Sequence, residues 1–304
     1  MPVRALWALF GVFGLAVLVT YWRLPAGELY NVSEHAFALG TGRLLVFLNY
    51  PVSLAAIAIA WLAAERIAER WALWVSGIAT VLCAVTAWPG VVDQNDLDGK
   101  PINLVPLIGV GIAFALSLRA PWEHVGRLPL DPARVVVGIA VWLFASVWIA
   151  AALGFYFPGD FFLGEEIRRG GDGLLHPAVH RGEHEGLDAA LLITSALVLS
   201  RYRPRFAVLW LLGLAFTYGL AVEWRDFWFE QVVKRGWTSW APPQVLTPRL
   251  SLAWAALLIF AALAAWLVRR LEGPPRLGAD PRRTSPSPSL DRPSAESTTG
   301  APSP

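Results

Sequence analysis

The chain has 304 residues, of which 56% are hydrophobic and only 16% charged, with sixteen Trp and a mean hydropathy of +0.50. So apolar a composition excludes an ordinary soluble globular surface, and most of the chain is expected to face lipid. A formal net charge of +2 gives no basic field to attract nucleic acid, and the single cysteine, Cys83, excludes an intrachain disulfide.

Crossing a hydrocarbon core of about 30 Å by a helix rising about 1.5 Å per residue takes about 20 mostly apolar residues. Eight runs meet or approach that length: 5–22, 44–64, 71–88, 102–118, 133–157, 187–200, 206–222 and 250–268. The fourth and sixth are short and need flanking residues to cross. The predicted fold is therefore all-α: a polytopic membrane protein with about eight transmembrane helices in residues 1–272. Arg4 precedes the first run, but no small-x-small cleavage site follows Trp22, so that run reads as an uncleaved helix.

Between the first two runs, Ser33 is placed to cap the second helix, with Glu34 and His35 in its first turn. Between the third and fourth, Asp93, Asn95, Asp96 and Asp98 offer hard oxygen ligands. Leu97 occupies a ligand position of the EF-hand spacing, so the segment reads as an Asp- and Asn-rich turn.

The stretch from His176 to Gly186, "HPAVHRGEHEG", holds three of the five histidines. Pro177 fits the first turn of a helix running into the sixth span. On that helix His180, His184 and Asp188 share one face, because residues four apart stack one turn above each other. Two imidazoles one turn apart can grip one tetrahedral metal. Residues His180 to His184 resemble the H-x-x-E-H pattern of inverzincin metalloproteases, and the resemblance covers those five residues alone. It implies that the two histidines hold zinc and that Glu183 is the catalytic base. His176 sits two turns from His184, so His35, Glu223 or Asp188 is needed to complete the ligand set unless the helix bends. The same loop also reads as an ordinary solvated segment in which Arg168, Arg169 and Arg181 balance Glu165, Glu166, Glu183 and Glu185.

After the seventh span, Glu223, Asp226 and Glu230 recur at helical offsets among Trp224, Phe227, Trp228 and Phe229. This predicts a short interfacial helix at headgroup level, with Glu223 at the mouth of the span as a candidate metal ligand or proton carrier. Residues 273–304 hold eight Pro and six Ser, a composition that cannot bury enough surface to offset chain entropy, and are expected to be a disordered cytoplasmic tail.

With the N-terminus inside, every inner segment is basic, from Arg4 through Arg66 and Arg70 to Arg269 and Arg270. That orientation places both termini in the cytoplasm and fifteen of the twenty-three carboxylates, with His35, His176, His180 and His184, outside a plasma membrane. The Arg-rich, Lys-poor composition suggests a bacterial chain. No G-x-S-x-G, Walker loop or dinucleotide fingerprint occurs, and no span carries charge in its middle third. The functional expectation is a metal-dependent hydrolase or transferase, zinc being the expected metal, acting on a membrane-associated or lipid-linked substrate at the outer interface. The alternatives are a non-catalytic membrane scaffold and a cation- or pH-responsive transporter or sensor.

Overall fold

The computed structural model describes residues 2–23, 39–88, 91–92, 100–152, 167–169, 175–177, 185–233, 235–246 and 248–274. Among the described residues, each of the eight apolar runs falls on a helix. The helices are α1 (Pro2–Arg23), α2 (Leu39–Phe47), α3 (Ser53–Ile67), α4 (Arg70–Ala84), α5 (Leu104–Arg119), α6 (Asp131–Ala152), α7 (Glu185–Ser200), α8 (Phe206–Trp228) and α9 (Leu252–Glu272). Helices α2 and α3 form one continuous span. Six spans among the described residues are long and apolar enough to cross a membrane, and α7, at sixteen residues, is shorter. Trp74, Val81, Leu143 and Ile259 are more than half exposed on the outside of the bundle, as suits side chains that face lipid. The chain is an all-α polytopic membrane protein.

The break between α2 and α3 comes from Pro51. A proline inside a helix lacks the N–H donor, and its ring crowds the carbonyl one turn back. The backbone widens there into a π-helical turn, Leu48–Val52, and the Ser53 hydroxyl donates to the Leu48 carbonyl at 3.0 Å. The span runs on through the proline.

Close helix crossings fall on glycines. Lipid offers no hydrophobic reason for helices to associate, so small residues that let backbones approach supply the packing. A Cβ on Gly213 of α8 would lie 2.5 Å from the Ala261 carbonyl oxygen of α9. One on Gly219 would meet Ile193 at 2.8 Å and the Ala189 carbonyl at 3.1 Å, both on α7. One on Gly109 of α5 would meet Cys83 Sγ of α4 at 2.6 Å.

At one end of the bundle, polar side chains tie the helix termini together. Arg134 of α6 bonds Glu272 of α9 and Ser200 of α7, Arg201 chelates Asp131, and Arg66 donates to the Tyr202 carbonyl. These contacts define the Arg134 end of the bundle; Glu223, in the far half of α8, marks the opposite, Glu223 end.

Two expectations are corrected. Residues Leu175–Pro177 form a strand paired antiparallel with Ile167–Arg169, with Arg168 opposite His176. Pro177 therefore does not open a helix; a two-stranded ribbon stands in its place, and α7 begins at Glu185. The segment from Glu223 onward does not break off as a separate interfacial helix either. It continues α8 to Trp228 and then widens into a π-helical turn, Phe229–Val233, a helical run of 28 residues in all. No proline or glycine between 220 and 233 stops it. The tail beyond residue 274 lies outside the described residues.

Candidate functional site

Toward the Glu223 end, one layer of the bundle interior is polar. It takes Arg43 from the second turn of α2, Asn49 and Tyr50 from the π-helical turn, Asp188 from the first turn of α7, and Glu223 and Asp226 from the far half of α8. All are buried, with Arg43 at 1% exposure, Asn49 at 0%, Glu223 at 3% and Asp188 at 4%. Local sequence explains the placement. Widening at Pro51 rotates the residues before it relative to those after, turning Asn49 and Tyr50 inward.

Helix packing sets the depth. Tyr50 packs with Ala189 and Leu192 of α7 and with Tyr218 and Val222 of α8, its ring standing edge-on to Tyr218 at 6.2 Å. Tyr218 is anchored by donating to the Leu246 carbonyl at 2.9 Å. The close approach of Gly219 to Ala189 brings α7 and α8 together immediately beside Asp188. Glu223 stands one turn, about 6 Å, from Gly219 along α8. Asp188 and Glu223 thus rise from neighbouring helices within about a turn of the same depth.

The electrostatics of this layer are unusual for a membrane interior. The Arg43 guanidinium acts on the Asp188 carboxylate across the bundle, and Asp226 acts as a like charge on Glu223 one turn away. Among the described residues, nothing hydrogen-bonds Oδ1 of Asp188, Oε1 of Glu223 or either polar atom of the Asn49 side chain. Buried polar groups are nearly always paired, because leaving one bare costs about 1–3 kcal/mol and more for a charge. A layer with this many open positions is suited to binding something polar.

Of the residues expected at a metal centre, the structure describes three: Asp188, buried in the first turn of α7, Glu223 and His176. Glu223 is buried within α8 rather than standing at the mouth of its span. His176 lies on the strand Leu175–Pro177, and no side-chain description is given for it. His35, His180, Glu183 and His184 lie outside the described residues, as do Asp93 to Asp98. Among the described residues no group of three or more His, Cys, Asp or Glu is arranged to hold a metal.

From the sequence alone Asp188 is a candidate third ligand and Asp226 a neighbour of Glu223, while Arg43 and Asn49 are not singled out. Arg43 sits just ahead of the apolar run at 44–64, where a hydropathy count treats it as a flank. The available signal was Asn49 beside Pro51: an amide and a helix-breaker inside a span mark irregular backbone that must face protein. In the comparisons with known proteins, no family model, no curated protein and no solved structure matches the chain.

Proposed function

We propose that this chain is a metal-dependent hydrolase or transferase of the plasma membrane, acting at the extracytoplasmic interface on a membrane-associated substrate. The observation that carries the reading is the bare, buried carboxylate oxygen of Glu223, one helix away from Asp188, with α7 starting at Glu185 directly after His180, Glu183 and His184. A carboxylate is kept in a membrane interior only where something compensates its desolvation. In this reading the compensation is a zinc ion held by His180 and His184 with Glu223 or a neighbour completing the set. His176 and His35 are the further candidate ligands, and Glu183 takes the proton from metal-bound water, whose pKa a zinc ion lowers to about 7.

The test is metal analysis of full-length protein purified in detergent. About one zinc per chain is expected, falling below a tenth of that in His180→Ala with His184→Ala and severalfold in Glu223→Gln. Purified protein without stoichiometric divalent metal, or with metal that survives loss of both histidines, removes the reading.

A second reading is favoured by a different observation. Arg43 and Asp188 are opposite charges buried in the bundle, and intramembrane ionisable groups of this kind mark ion and proton pathways in carriers. A cation- or pH-responsive transporter would bind no stoichiometric zinc and would show proton-coupled flux in proteoliposomes, abolished by Asp188→Asn.

A further inference from the structure

Arg203 stands apart from the other arginines of the Arg134 end. It lies in the loop between α7 and α8, and its φ of 51° puts a non-glycine residue in the left-handed region that L side chains seldom occupy. Such a conformation persists only where the surroundings hold it, and it is concentrated at ligand sites. Here the Arg203 N–H donates to the Ser200 carbonyl at 3.0 Å. The side chain reaches the end of α9, where Gly273 leaves room for it: a Cβ there would lie 2.7 Å from Nη2 of Arg203. The half-buried guanidinium has no partner among the described residues, and its Nε is buried without a hydrogen bond. Arg269, half-buried in the last turn of α9, has no side-chain partner among them either. Three carboxylates of this end are committed elsewhere: Glu272 to Arg134, Asp131 to Arg201 and Glu65 to the Arg205 N–H. Two positive charges are left unanswered at one corner of the bundle, and half-buried charge calls for an opposite one.

A groove of about 210 Å³ adjoins that corner, walled by α6, α7, α8 and α9. Arg134 and Ser200 are the polar part of its lining, and Val137, Leu212, Phe216 and Val268 are typical of the rest, which is apolar. Ala133 and Leu267 on its rim are exposed, so it opens sideways to lipid between α6 and α9. Along α8 the lining runs from Leu209, in the first turn, to Phe216, about 10 Å at about 1.5 Å per residue. Half of a hydrocarbon core is about 15 Å thick, so the groove stays within the leaflet at the Arg134 end. That is the depth an ordinary acyl chain occupies when its headgroup lies level with Arg203 and Arg269.

We propose that this corner binds one anionic phospholipid of that leaflet, with its phosphate on Arg203 and Arg269 and one acyl chain in the groove. Guanidinium groups pair with phosphate oxygens through charge-assisted hydrogen bonds, two at a time where the geometry allows. The same charges choose among lipids. A headgroup of net negative charge is drawn in, whereas the ammonium of a zwitterionic one meets two guanidiniums. An apolar helix of a second copy would fill the groove and leave both arginines unanswered. The site lies at the opposite end of the bundle from the polar layer and goes beyond the proposed metal chemistry, since it needs neither metal nor turnover.

The test reconstitutes full-length protein in vesicles of equal parts phosphatidylglycerol and phosphatidylcholine, extracts it in mild detergent and counts bound lipids by native mass spectrometry. One phosphatidylglycerol per chain is expected, in preference to phosphatidylcholine. Its retention should fall about tenfold or more in Arg203→Gln with Arg269→Gln. Ala133→Leu with Ala264→Leu, which narrows the groove and leaves the charge alone, should lower it as well. Arg70→Gln with Arg119→Gln removes the same charge from the ends of α4 and α5 and should leave retention unchanged. Phosphatidylglycerol with a photoreactive acyl chain should label α6 and α9 in the unmodified protein, which answers the question even where a variant does not fold. The proposal is overturned if the two lipids are retained alike, if the Arg203 and Arg269 variant holds phosphatidylglycerol as well as the parent, if labelling falls away from the groove, or if crosslinking shows a second copy's helix in it. Phosphatidylglycerol retained by a protein that carries no metal would leave this inference standing while the metal reading falls.

Discussion

Arg134, in the first turn of α6, grips Glu272, in the last turn of α9, through both terminal nitrogens, Nη1 to Oε1 at 2.5 Å and Nη2 to Oε2 at 2.8 Å. Its Nε also donates to Ser200 at the end of α7, at 3.1 Å. Three helices distant in sequence are thereby fixed at one membrane end. Breaking a buried pair leaves an uncompensated charge, whereas replacing both partners with apolar residues is often neutral. Glu272→Ala should therefore lower unfolding stability by about 3 kcal/mol, while Arg134→Met with Glu272→Leu should cost clearly less. Thermal unfolding in detergent reads both, and a double variant as unstable as the single would show that lost packing, not the stranded charge, is responsible.

The same end gives a pH prediction. Partial burial pushes the Asp131 carboxyl up, but the Leu128 N–H, the chelating Arg201 and the nearby Arg134 outweigh it and hold the group below its ordinary value. A carboxylate with a depressed folded pKa contributes stability above its unfolded value, near 3.9, and that contribution is lost as the pH falls through the folded value. Stability carried by Asp131 should thus be complete at neutral pH and vanish in acid. Comparing acid unfolding of the parent with Asp131→Asn checks it: the variant should be less stable at neutral pH, and the two curves should converge below about pH 4.

Helix contacts predict an ordering among glycines. At Gly213 an added Cβ collides with backbone, the Ala261 carbonyl at 2.5 Å, which cannot move aside without separating α8 from α9. At Gly219 the nearest atom belongs to the Ile193 side chain, which can change rotamer. Gly213→Ala should destabilise by about 1–3 kcal/mol, Gly219→Ala by less. Gly77→Ala, with open space around it, should be neutral or stabilising because Gly is a poor helix former. Equal losses at 213 and 77 would mean that the α8–α9 spacing is not set by this contact.

The apolar runs at 5–22 and 206–222 announce helices because a bilayer leaves an isolated segment no other way to satisfy its backbone. Their ends are harder to read. Glu223 marks the end of a hydropathy window, yet no helix-breaker follows it, and α8 continues to Trp228. Burial of Arg43 and Asp188 was hidden for a similar reason: hydropathy measures how much of a segment is apolar, while packing decides which residues face the bundle. Pro177 ends a strand instead of opening a helix, because a proline that suits a helix start suits a strand end as well. Nothing local distinguishes the two.

The buried pair of Arg43 and Asp188 can be weighed by a double-mutant cycle. Arg43→Met should lower thermal stability substantially by leaving Asp188 without its opposing charge, and Asp188→Leu should do likewise from the other side. The double variant should recover much of the loss, a coupling on the order of 1–3 kcal/mol. Strictly additive losses would show that the two charges do not sense one another.

Glu223 separates function from stability. Its Oε1 has no partner among the described residues, and Asp226 adds a like charge beside it, so the folded protein gains little from a carboxylate there. Glu223→Gln keeps the shape and removes the charge. In metal-free protein the variant should unfold at the same temperature as the parent or higher, by up to about 1 kcal/mol. Added zinc should stabilise the parent in proportion to the logarithm of its concentration once sites fill, and the variant much less. Both curves follow from unfolding scans with and without a chelator. A variant that is already less stable without metal, and that responds to zinc as the parent does, would mark Glu223 as a structural residue and leave the polar layer without its proposed ligand.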